Sequence, residues 1–234
     1  TTKNKFELDE LKYISKLSKE SSVLDVGSGR GHHVKYFKDM GAESIGIDKS
    51  KAMINLSKKK YPMCKYKHGD VLDSMHFKQN KFSHIVSLYF TTYYIEDKMK
   101  FFKNAFKWLK PGGHLVLHLV NRNKFDPIIN TSNPVHMVSV QKYAPKRITN
   151  SIVKFKDFTY KANFEFKNNR GTFSETFKDD GTNNVRKNEH VLHMETQKEI
   201  LAKAKKAGFI FHGKSDMVNC MYEYQYLYYL IKPE

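Results

Sequence analysis

A glycine-rich loop that follows a buried acid has the residue types and spacing to do chemistry. Residues 23–34 read VLDVGSGRGHHV, with Asp25 inside the apolar run and Gly27, Gly29 and Gly31 after it. Glycines between a strand and a helix let the backbone approach a ligand closely. The spacing D-x-G-x-G-x-G differs from the dinucleotide pattern G-x-G-x-x-G, because its third glycine comes one position earlier. The loop therefore favours a ligand that presents no pyrophosphate.

Two further acids occur where predicted strands end. Asp48 ends the segment SIGID, and Asp70 ends KHGD. At a strand tip, the two oxygens of Asp48 can accept hydrogen bonds from both hydroxyls of a ribose. Asp70 can accept from an adenine amino group while the N–H of Val71 donates to a ring nitrogen. A helix N-cap for Asp48 and a simple turn position for Asp70 are the structural alternatives.

These residues together match the groups of S-adenosylmethionine. That molecule has no phosphate, and it presents a methionine carboxylate and ammonium, a ribose and an adenine. The N–H groups of a glycine loop can donate to the carboxylate, and the carboxylate of Asp25 suits the ammonium. The loop and the three acids, in this order, favour S-adenosylmethionine as the ligand.

The elements that must position these residues follow from the apolar patterning. The predicted strands are 23–26, 44–48, 64–70, 82–90 and 114–120, and the predicted helices are 6–19, 32–40, 49–60 and 96–109. The sequence PGG at 111–113 predicts a turn before the fifth strand. Strands that alternate with helices predict a parallel sheet with helices on both faces.

The pattern changes after residue 120. The stretch from 121 to about 150 is irregular, and β-type runs then occur at 152–166, 172–178 and 190–194. They predict a three-stranded antiparallel insert. A helix at 198–207 and two strands within 209–217 and 222–232 end the chain. Because no linker is evident, we expect one domain over residues 1–234, with an inserted loop and β lobe at 121–195.

The whole pattern resembles the class I S-adenosylmethionine-dependent methyltransferases. The resembling segments, in the family's order, are VLDVGSGRGHH, IGIDKS, KHGDVLD, FSHIVSLYF and WLKPGGHLVLHLV. The likeness covers residues 20–120 and resumes at 196–232. It implies an α/β, Rossmann-like, doubly wound fold with a seven-stranded mixed sheet of order 3-2-1-4-5-7-6 and a small antiparallel β insert. The cofactor would lie across the carboxyl ends of strands 1 and 4.

The resemblance also implies a set of cofactor-binding residues. They are Asp25, Gly27, Ser28, Gly29, Gly31, Asp48, Lys49, Met53, Asp70, Val71 and Leu88. His32 and His33 stand at a helix start, where packing or loop ordering is the favoured role. Their spacing does not indicate a metal site, and we expect no metal.

The segment after strand 4 bears on the acceptor. It reads SLYFTTYYIED, which lacks the [DNS]-P-P-[YF] motif of amino methylation of bases, and Glu96 is not part of the glutamate pair of arginine methylation. Cytosine C5 methylation needs a cysteine that is absent near strands 4 and 5. The insert resembles, coarsely, the lobe of amino-sugar and glycine N-methyltransferase-like enzymes, where it covers the acceptor.

We therefore expect methyl transfer to an N or O nucleophile of a small molecule, with an amino sugar or similar amine favoured. Methylation of RNA and a non-catalytic cofactor-binding subunit are the alternatives. The candidate catalytic residues are His190, Tyr93 and Tyr94, and packing roles are the simpler reading for each. His190 and His193 point to opposite sides of a strand, so at most one of them can enter a pocket lined by that sheet. His190 is preferred as a general base because it enters the sheet earlier and is similar in position to a histidine of the amino-sugar methyltransferases.

Composition limits the partners. The chain has 234 residues, 40% of them hydrophobic, and a net charge of +17 carried almost entirely by lysine. This charge fits either a genome rich in A and T codons or a polyanionic partner, so nucleic acid binding stays possible. No apolar run approaches the roughly 18 to 20 residues of a membrane span. With no secretory signal pattern and two cysteines far apart, a cytoplasmic protein is expected.

Overall fold

The alternation of strands and helices expected from the sequence forms in the first 120 residues of the computed structural model, which describes residues 2–127, 144–220 and 222–234. Its elements are α1 (Thr2–Ser15), β1 (Ser22–Val26), α2 (His32–Asp39), β2 (Glu43–Asp48), α3 (Lys51–Lys60), β3 (Lys65–His68), β4 (Phe82–Ser87), α4 (Thr91–Tyr94), α5 (Lys98–Trp108) and β5 (Leu109–Val120). The elements that follow are β6 (Asn150–Lys154), β7 (Phe158–Lys167), β8 (Arg170–Asp179), β9 (Val185–His193), α6 (Gln197–Lys206), β10 (Ile210–Asp216) and β11 (Gln225–Ile231).

The main sheet has seven strands in the order β3-β2-β1-β4-β5-β11-β10. This order confirms the predicted one, since β10 and β11 are the sixth and seventh strands of that sheet along the chain. Strand β1 pairs in parallel with both β2 and β4, and β3 and β5 extend the parallel part on either side. The strand order reverses between β1 and β4, and ligands of such sheets bind beside the carboxyl ends at that reversal.

Strand β1 is buried along its whole length. Val23, Leu24 and Val26 are almost fully removed from solvent, as expected for a central strand covered on both faces. Asp25 is buried within the same strand. Burying a carboxylate costs free energy unless it is paired or hydrogen-bonded. Packing alone therefore does not explain an aspartate at this position.

Helix α5 shows the predicted separation of faces. Asp97 caps its start, with a side chain that accepts a hydrogen bond of 2.9 Å from the Lys100 N–H. The buried face ends in Trp108, whose ring meets Phe77 edge-on at 5.3 Å and whose Nε1–H donates to the Ser74 carbonyl at 3.2 Å. The lysines on the other face of this helix are exposed (Lys100, Lys103 and Lys107).

The predicted turn at PGG is wrong, because these residues lie inside β5. The Gly112 N–H donates to the Lys232 carbonyl at 2.9 Å, and the Lys232 N–H donates to the Gly113 carbonyl at 2.9 Å. Gly112 keeps a positive φ of 71°. The strand therefore starts five residues earlier than predicted, since a segment far away in sequence pairs with it.

The predicted three-stranded insert is also wrong in its strand count. A separate antiparallel sheet contains four strands in the order β6-β7-β8-β9. The single strand predicted at 152–166 is divided into β6 and β7 by a tight connection, in which the Phe155 N–H donates to the Phe158 carbonyl at 2.9 Å. No glycine or proline marks that connection, so the usual turn signal was missing.

The chain divides into two compact units. The first comprises Thr1–Leu119, Gln197–Ser215 and Tyr226–Glu234, and the second comprises Val120–Thr196 and Asp216–Gln225. The second unit thus contains the four-stranded sheet, and the first contains the glycine loop and both strand-tip acids. Among the residues that the structure describes, no helix is both long enough and apolar enough to cross a bilayer.

Replacing Trp108 by alanine should destabilise the protein by about 3 to 5 kcal/mol, because a fully buried indole leaves a cavity and the Ser74 carbonyl loses its donor. Urea unfolding measures this change in the free energy of unfolding. Lys103→Ala, on the exposed face of the same helix, is the matched control and should change it by less than about 0.5 kcal/mol. Equal stability of the two variants would contradict the assigned packing.

Candidate active site

The glycine loop is fastened to strand β2 by backbone hydrogen bonds. Gly27, Gly29 and Gly31 have φ values of 67°, 50° and 79°, a region that other residues rarely adopt. The N–H groups of Gly27 and Ser28 both donate to the Ile47 carbonyl, at 2.8 and 3.1 Å, and that of Gly31 donates to the Ser28 carbonyl at 2.8 Å. The expectation that these N–H groups hold a ligand carboxylate stays a prediction, and here they hold the loop itself.

The Asp48 carboxylate ties the loop to the start of α3. Its Oδ2 accepts from the Gly29 N–H at 2.8 Å, and its Oδ1 accepts from the Ser50 N–H at 2.8 Å. The N-cap of α3 is Ser50, whose side chain accepts from the Met53 N–H at 3.3 Å. Asp48 is therefore not the N-cap. Each of its oxygens has a second lone pair, as the predicted contact with a ribose requires.

The loop glycines differ in the space around them. A Cβ on Gly27 would lie 2.5 Å from the Thr91 side chain, and one on Gly31 would collide with the Tyr66 ring. A Cβ on Gly29 would have a single neighbour, the Gly27 carbonyl at 3.9 Å. Packing thus explains two of the glycines, whereas Gly29 borders open space. This opening is where a bound molecule can touch the backbone.

Asp70 is held as an ionised carboxylate. Its Oδ1 accepts from the Leu72 N–H at 2.9 Å, and the Lys49 Nζ lies 3.0 Å from its Oδ2. Partial burial by itself raises the pKa of Asp70, but the Leu72 N–H and the Lys49 ammonium outweigh burial and leave this pKa below its usual value. An ionised Asp70 can accept from an adenine amino group, and the predicted contact of Lys49 with the cofactor stays a prediction.

The structure assembles most of the predicted cofactor residues at one edge of the main sheet. Asp25, the loop and Asp48 are joined through β1, β2 and their hydrogen bonds, and Lys49 and Asp70 form an ion pair beside them. The Val71 carbonyl accepts from the Asn104 side chain at 2.9 Å. Met53 lies exposed on α3 and Leu88 is buried after β4, and their predicted contacts with the cofactor stay predictions.

Two buried acids have carboxylate oxygens without a hydrogen-bond partner among the described residues. Asp25 is 2% exposed and its Oδ2 has no partner, and Glu7 of α1 is 1% exposed with neither carboxylate oxygen bonded. Burial, followed by the charges of Asp48 and Glu7, raises the pKa of Asp25 well above its usual value. Burial also raises the pKa of Glu7 to about 7. No described residue donates a hydrogen bond to these three oxygens.

A histidine and a tyrosine line the same region. The His33 Nδ1 lies 3.8 Å from the Asp25 Oδ2, and burial, with a smaller contribution from His32, lowers the pKa of His33 to about 4. The His33 ring stacks on Tyr89, at 5.6 Å between centroids and 22° between planes. Tyr89 has a φ of 51°, and such outliers cluster at functional sites.

Sequence reasoning missed Glu7 and Tyr89 and gave His33 a packing role. An acid among the apolar positions of the first predicted helix was a signal that could have identified Glu7, since it stands beside Leu8 and four residues before Leu11. No sequence feature marks the positive φ of Tyr89, because the residue is not a glycine or asparagine.

The predicted catalytic residues have different surroundings. Tyr93 of α4 is fully buried, and Tyr94 is 51% exposed. His190 lies on β9 in the second unit, with its Nε2 3.4 Å from the Oε2 of Glu175. Their catalytic roles stay predictions. Over residues 2–127, 144–220 and 222–234, no group of three or more His, Cys, Asp or Glu side chains is arranged to hold a metal ion.

Comparison with known proteins identifies the fold. A family model described as a methyltransferase domain matches residues 24–117, which include the glycine loop and both strand-tip acids. Residues 24–117 are therefore a methyltransferase domain. The family resemblance and the S-adenosylmethionine cofactor expected from the sequence are thereby confirmed. The open space at Gly29 and the spare acceptors of Asp48 fit that cofactor.

The methyltransferase domain has relatives of known sequence and structure. Phosphoethanolamine N-methyltransferase of Plasmodium falciparum is 32% identical over 109 residues, which are 43% of this chain and 40% of that protein. This chain thus matches less than half the length of that curated relative. An S-adenosylmethionine-dependent methyltransferase from Clostridium acetobutylicum superposes with a TM-score of 0.75 at 16% identity, covering 97% of this chain and 89% of the other.

A further solved structure is the S-adenosylmethionine-bound amino pentose methyltransferase of Micromonospora echinaspora. It superposes with a TM-score of 0.70 at 17% identity, covering 99% of this chain and 92% of the other. At these identities the superpositions show a common fold. The fold includes the four-stranded sheet of the second unit, since nearly the whole chain is covered.

Replacing Asp48 by alanine should weaken S-adenosylhomocysteine binding by about 1.5 to 3 kcal/mol, or about 10- to 150-fold in Kd. The ribose hydroxyls would lose their hydrogen-bond acceptors, and the Gly29 N–H would lose the carboxylate to which it donates. Isothermal titration calorimetry measures the change. Asp39→Ala removes an exposed acid from α2 and should leave the Kd unchanged. Undiminished binding by the Asp48 variant would overturn the assignment of this carboxylate to the ribose.

The raised pKa of Glu7 predicts a loss of stability with rising pH in the cofactor-free protein. The unfolded chain releases the Glu7 proton near pH 4.5, whereas the folded chain keeps it up to about pH 7. The free energy of unfolding should therefore fall across that interval and level off above it. Glu7→Gln, which carries no ionisable group, should remove up to about 3 kcal/mol of this fall.

Urea unfolding at pH 5 and pH 8 measures this dependence. Asp9→Asn, an exposed acid on the same helix, is the control and should keep the wild-type slope. If Glu7→Gln shows the same loss of unfolding free energy between pH 5 and pH 8 as the wild type, Glu7 is ionised in the folded protein and the assigned protonation is wrong.

Proposed function

We propose that this chain transfers the methyl group of S-adenosylmethionine to the nitrogen of a small-molecule amine, with an amino sugar or a similar amine as the favoured acceptor. The observation that carries the proposal is the contact between His190 and Glu175 in the second unit, where a carboxylate holds an imidazole. The proposal includes a covering role for residues 121–195, which would supply the acceptor side of the site.

The surroundings of Glu175 support a fixed imidazole. Its Oε1 accepts from the Tyr160 hydroxyl at 2.8 Å, while its Oε2 faces the His190 Nε2 at 3.4 Å. Burial and the neighbouring Glu175 raise the pKa of Tyr160, so this hydroxyl stays protonated and keeps donating. The His190 ring also stacks on Phe173, at 6.2 Å between centroids. A carboxylate and a ring face thus limit the orientation of the imidazole.

An oriented histidine suits the chemistry of N-methylation. An ammonium acceptor has no lone pair, so it must lose a proton before its nitrogen can attack. S-adenosylmethionine supplies an electrophilic methyl group on a sulfonium, which leaves as S-adenosylhomocysteine. His190 would take the proton of the ammonium, and Glu175 would stabilise the imidazolium that forms. Alignment of the nitrogen with the methyl carbon would supply most of the rate enhancement.

Two of the similar proteins support an amine acceptor, whereas two demethylmenaquinone methyltransferases of Chlorobaculum, also 32% identical over 108 residues, are named for a quinone. One is named for N-methylation of phosphoethanolamine, and a similar structure is that of an amino pentose methyltransferase. Both acceptors are small amines. The 32% identity with the first relative lies within the methyltransferase domain, and the superposition with the second extends over the four-stranded sheet as well.

A methyl-transfer screen with labelled S-adenosylmethionine tests the proposal. The acceptor panel contains amino sugars, small primary amines, phenols and an unstructured RNA. Transfer to an amine is the expected result. Transfer to RNA at physiological salt would overturn it and assign the net charge of +17 to a polyanionic substrate. Binding of S-adenosylhomocysteine without transfer to any acceptor would indicate a non-catalytic cofactor-binding subunit.

Replacing His190 by alanine should lower kcat by about 10²- to 10⁴-fold, the usual contribution of a general base. Affinity for S-adenosylhomocysteine should stay unchanged, and the acid limb of the pH–rate profile should flatten. His193→Ala is the matched control, because His193 stands three residues later on β9 and points to the opposite face. An active His190 variant with an unchanged profile would leave the chemistry to alignment alone or to Tyr93 and Tyr94.

A further inference from the structure

Helix α1 buries a carboxylate that the predicted site does not use. Glu7, Leu8 and Leu11 of this helix are all buried. Residue 7 lies outside the segment 24–117 that matches the methyltransferase domain. A carboxylate that is 1% exposed and makes no hydrogen bond is costly, so its retention calls for a ligand.

The position of Glu7 is fixed by two contacts of its helix. The Ser15 carbonyl, at the end of α1, accepts from the His84 Nε2–H of β4 at 2.8 Å. In the middle of the helix, Glu10 accepts from the Ser215 hydroxyl of β10 at 2.7 Å. These contacts hold α1 against strands of the main sheet. They therefore keep the backbone of Glu7 against the main sheet.

Glu7 lies close enough to Asp25 for their charges to interact, and Asp25 in turn interacts with Asp48. No lysine or arginine of the described chain forms an ion pair or a hydrogen bond with Glu7 or Asp25. His33 cannot neutralise them, because its pKa of about 4 leaves it uncharged at neutral pH. Two buried carboxylates without a cation form a site for a cation brought by a ligand.

S-adenosylmethionine carries two positive groups, the sulfonium and the ammonium of its methionine part. The sulfonium methyl must face the acceptor, so it cannot be enclosed between two carboxylates. The ammonium has three N–H donors, and Asp25 Oδ2 and the Glu7 oxygens together offer acceptors for at least two. We infer that Glu7 of α1, together with Asp25 of β1, binds the methionine ammonium group of S-adenosylmethionine.

Binding in this way links the cofactor to a proton. The groups that face Glu7 are Asp25 on β1 and Tyr229 on β11, with Asp48, His33 and Tyr66 around Asp25 and Glu10 on the same helix. An incoming ammonium favours the ionised form of Glu7, so its proton is released to the buffer. The amount released should rise as the pH falls below about 7, the pKa of Glu7 in the cofactor-free protein.

Three ligands separate this role from a structural one. S-adenosylmethionine and S-adenosylhomocysteine both carry the ammonium, whereas 5′-methylthioadenosine keeps the adenosine and lacks the amino-acid part. Glu7→Gln should weaken the first two by about 10- to 100-fold and leave the Kd of 5′-methylthioadenosine unchanged. Asp9→Asn, an exposed acid on the same helix, should change none of the three. Isothermal titration calorimetry of the full chain measures the Kd of each ligand for each variant.

Calorimetry in buffers of different ionisation enthalpy counts the protons released. Wild-type protein at pH 6.5 should release protons on binding S-adenosylhomocysteine, and Glu7→Gln should release measurably fewer. Equal weakening of all three ligands, unchanged affinities or an unchanged proton count would each overturn the inference. Because the inference rests on the cofactor assignment, wild-type binding of S-adenosylhomocysteine tests that assignment separately.

Discussion

The Asp48 carboxylate, bonded to the N–H groups of Gly29 and Ser50, is the contact on which the cofactor edge of the domain depends. One side chain at the tip of β2 fixes both the loop after β1 and the start of α3. The backbone of the loop then stays accessible at Gly29. A Cβ atom added to this glycine would have the Gly27 carbonyl, at 3.9 Å, as its nearest neighbour outside residues 28–30. A single carboxylate thus gives the loop its shape and keeps acceptors for a ligand, because each oxygen accepts more than one hydrogen bond.

The second constraint is electrostatic. The domain buries Asp25 and Glu7 near Asp48 without a neutralising cation among the residues described, so the cofactor-free state holds carboxylic acids or unpaired carboxylates in a medium of low polarity. Native proteins keep such costs mainly where function needs them. A cationic ligand relieves this cost when it binds, and part of the affinity then comes from removing strain that is already present in the free protein. Stability of the free domain and affinity for the cofactor are therefore opposed at this site.

The second unit presents a different kind of polar group. On its sheet, the imidazole of His190 contacts the carboxylate of Glu175, which also accepts a hydrogen bond from the phenol of Tyr160. These residues lie on the neighbouring strands β9, β8 and β7. Rigid β-sheets hold such a series more firmly than loops do, because the ladder fixes each backbone position. The His190–Glu175–Tyr160 contacts and the buried Asp25 of the methyltransferase domain thus lie on separate sheets.

The sequence by itself determined the parallel sheet, the glycine loop and the strand-tip acids, because each depends on local patterning or on spacing within one β-loop-α unit. The strand order was expected from the family resemblance, since local patterning does not specify which strands are neighbours. The β5 start at PGG, the division of the insert into four strands, the buried position of Glu7, the stacking of His33 on Tyr89 and the pairing of His190 with Glu175 were decided only by the tertiary structure. Each of these requires partners on separate elements or a turn without glycine or proline. The pKa shifts were also decided by the tertiary structure, because burial and neighbouring charges arise from packing that no local sequence pattern specifies.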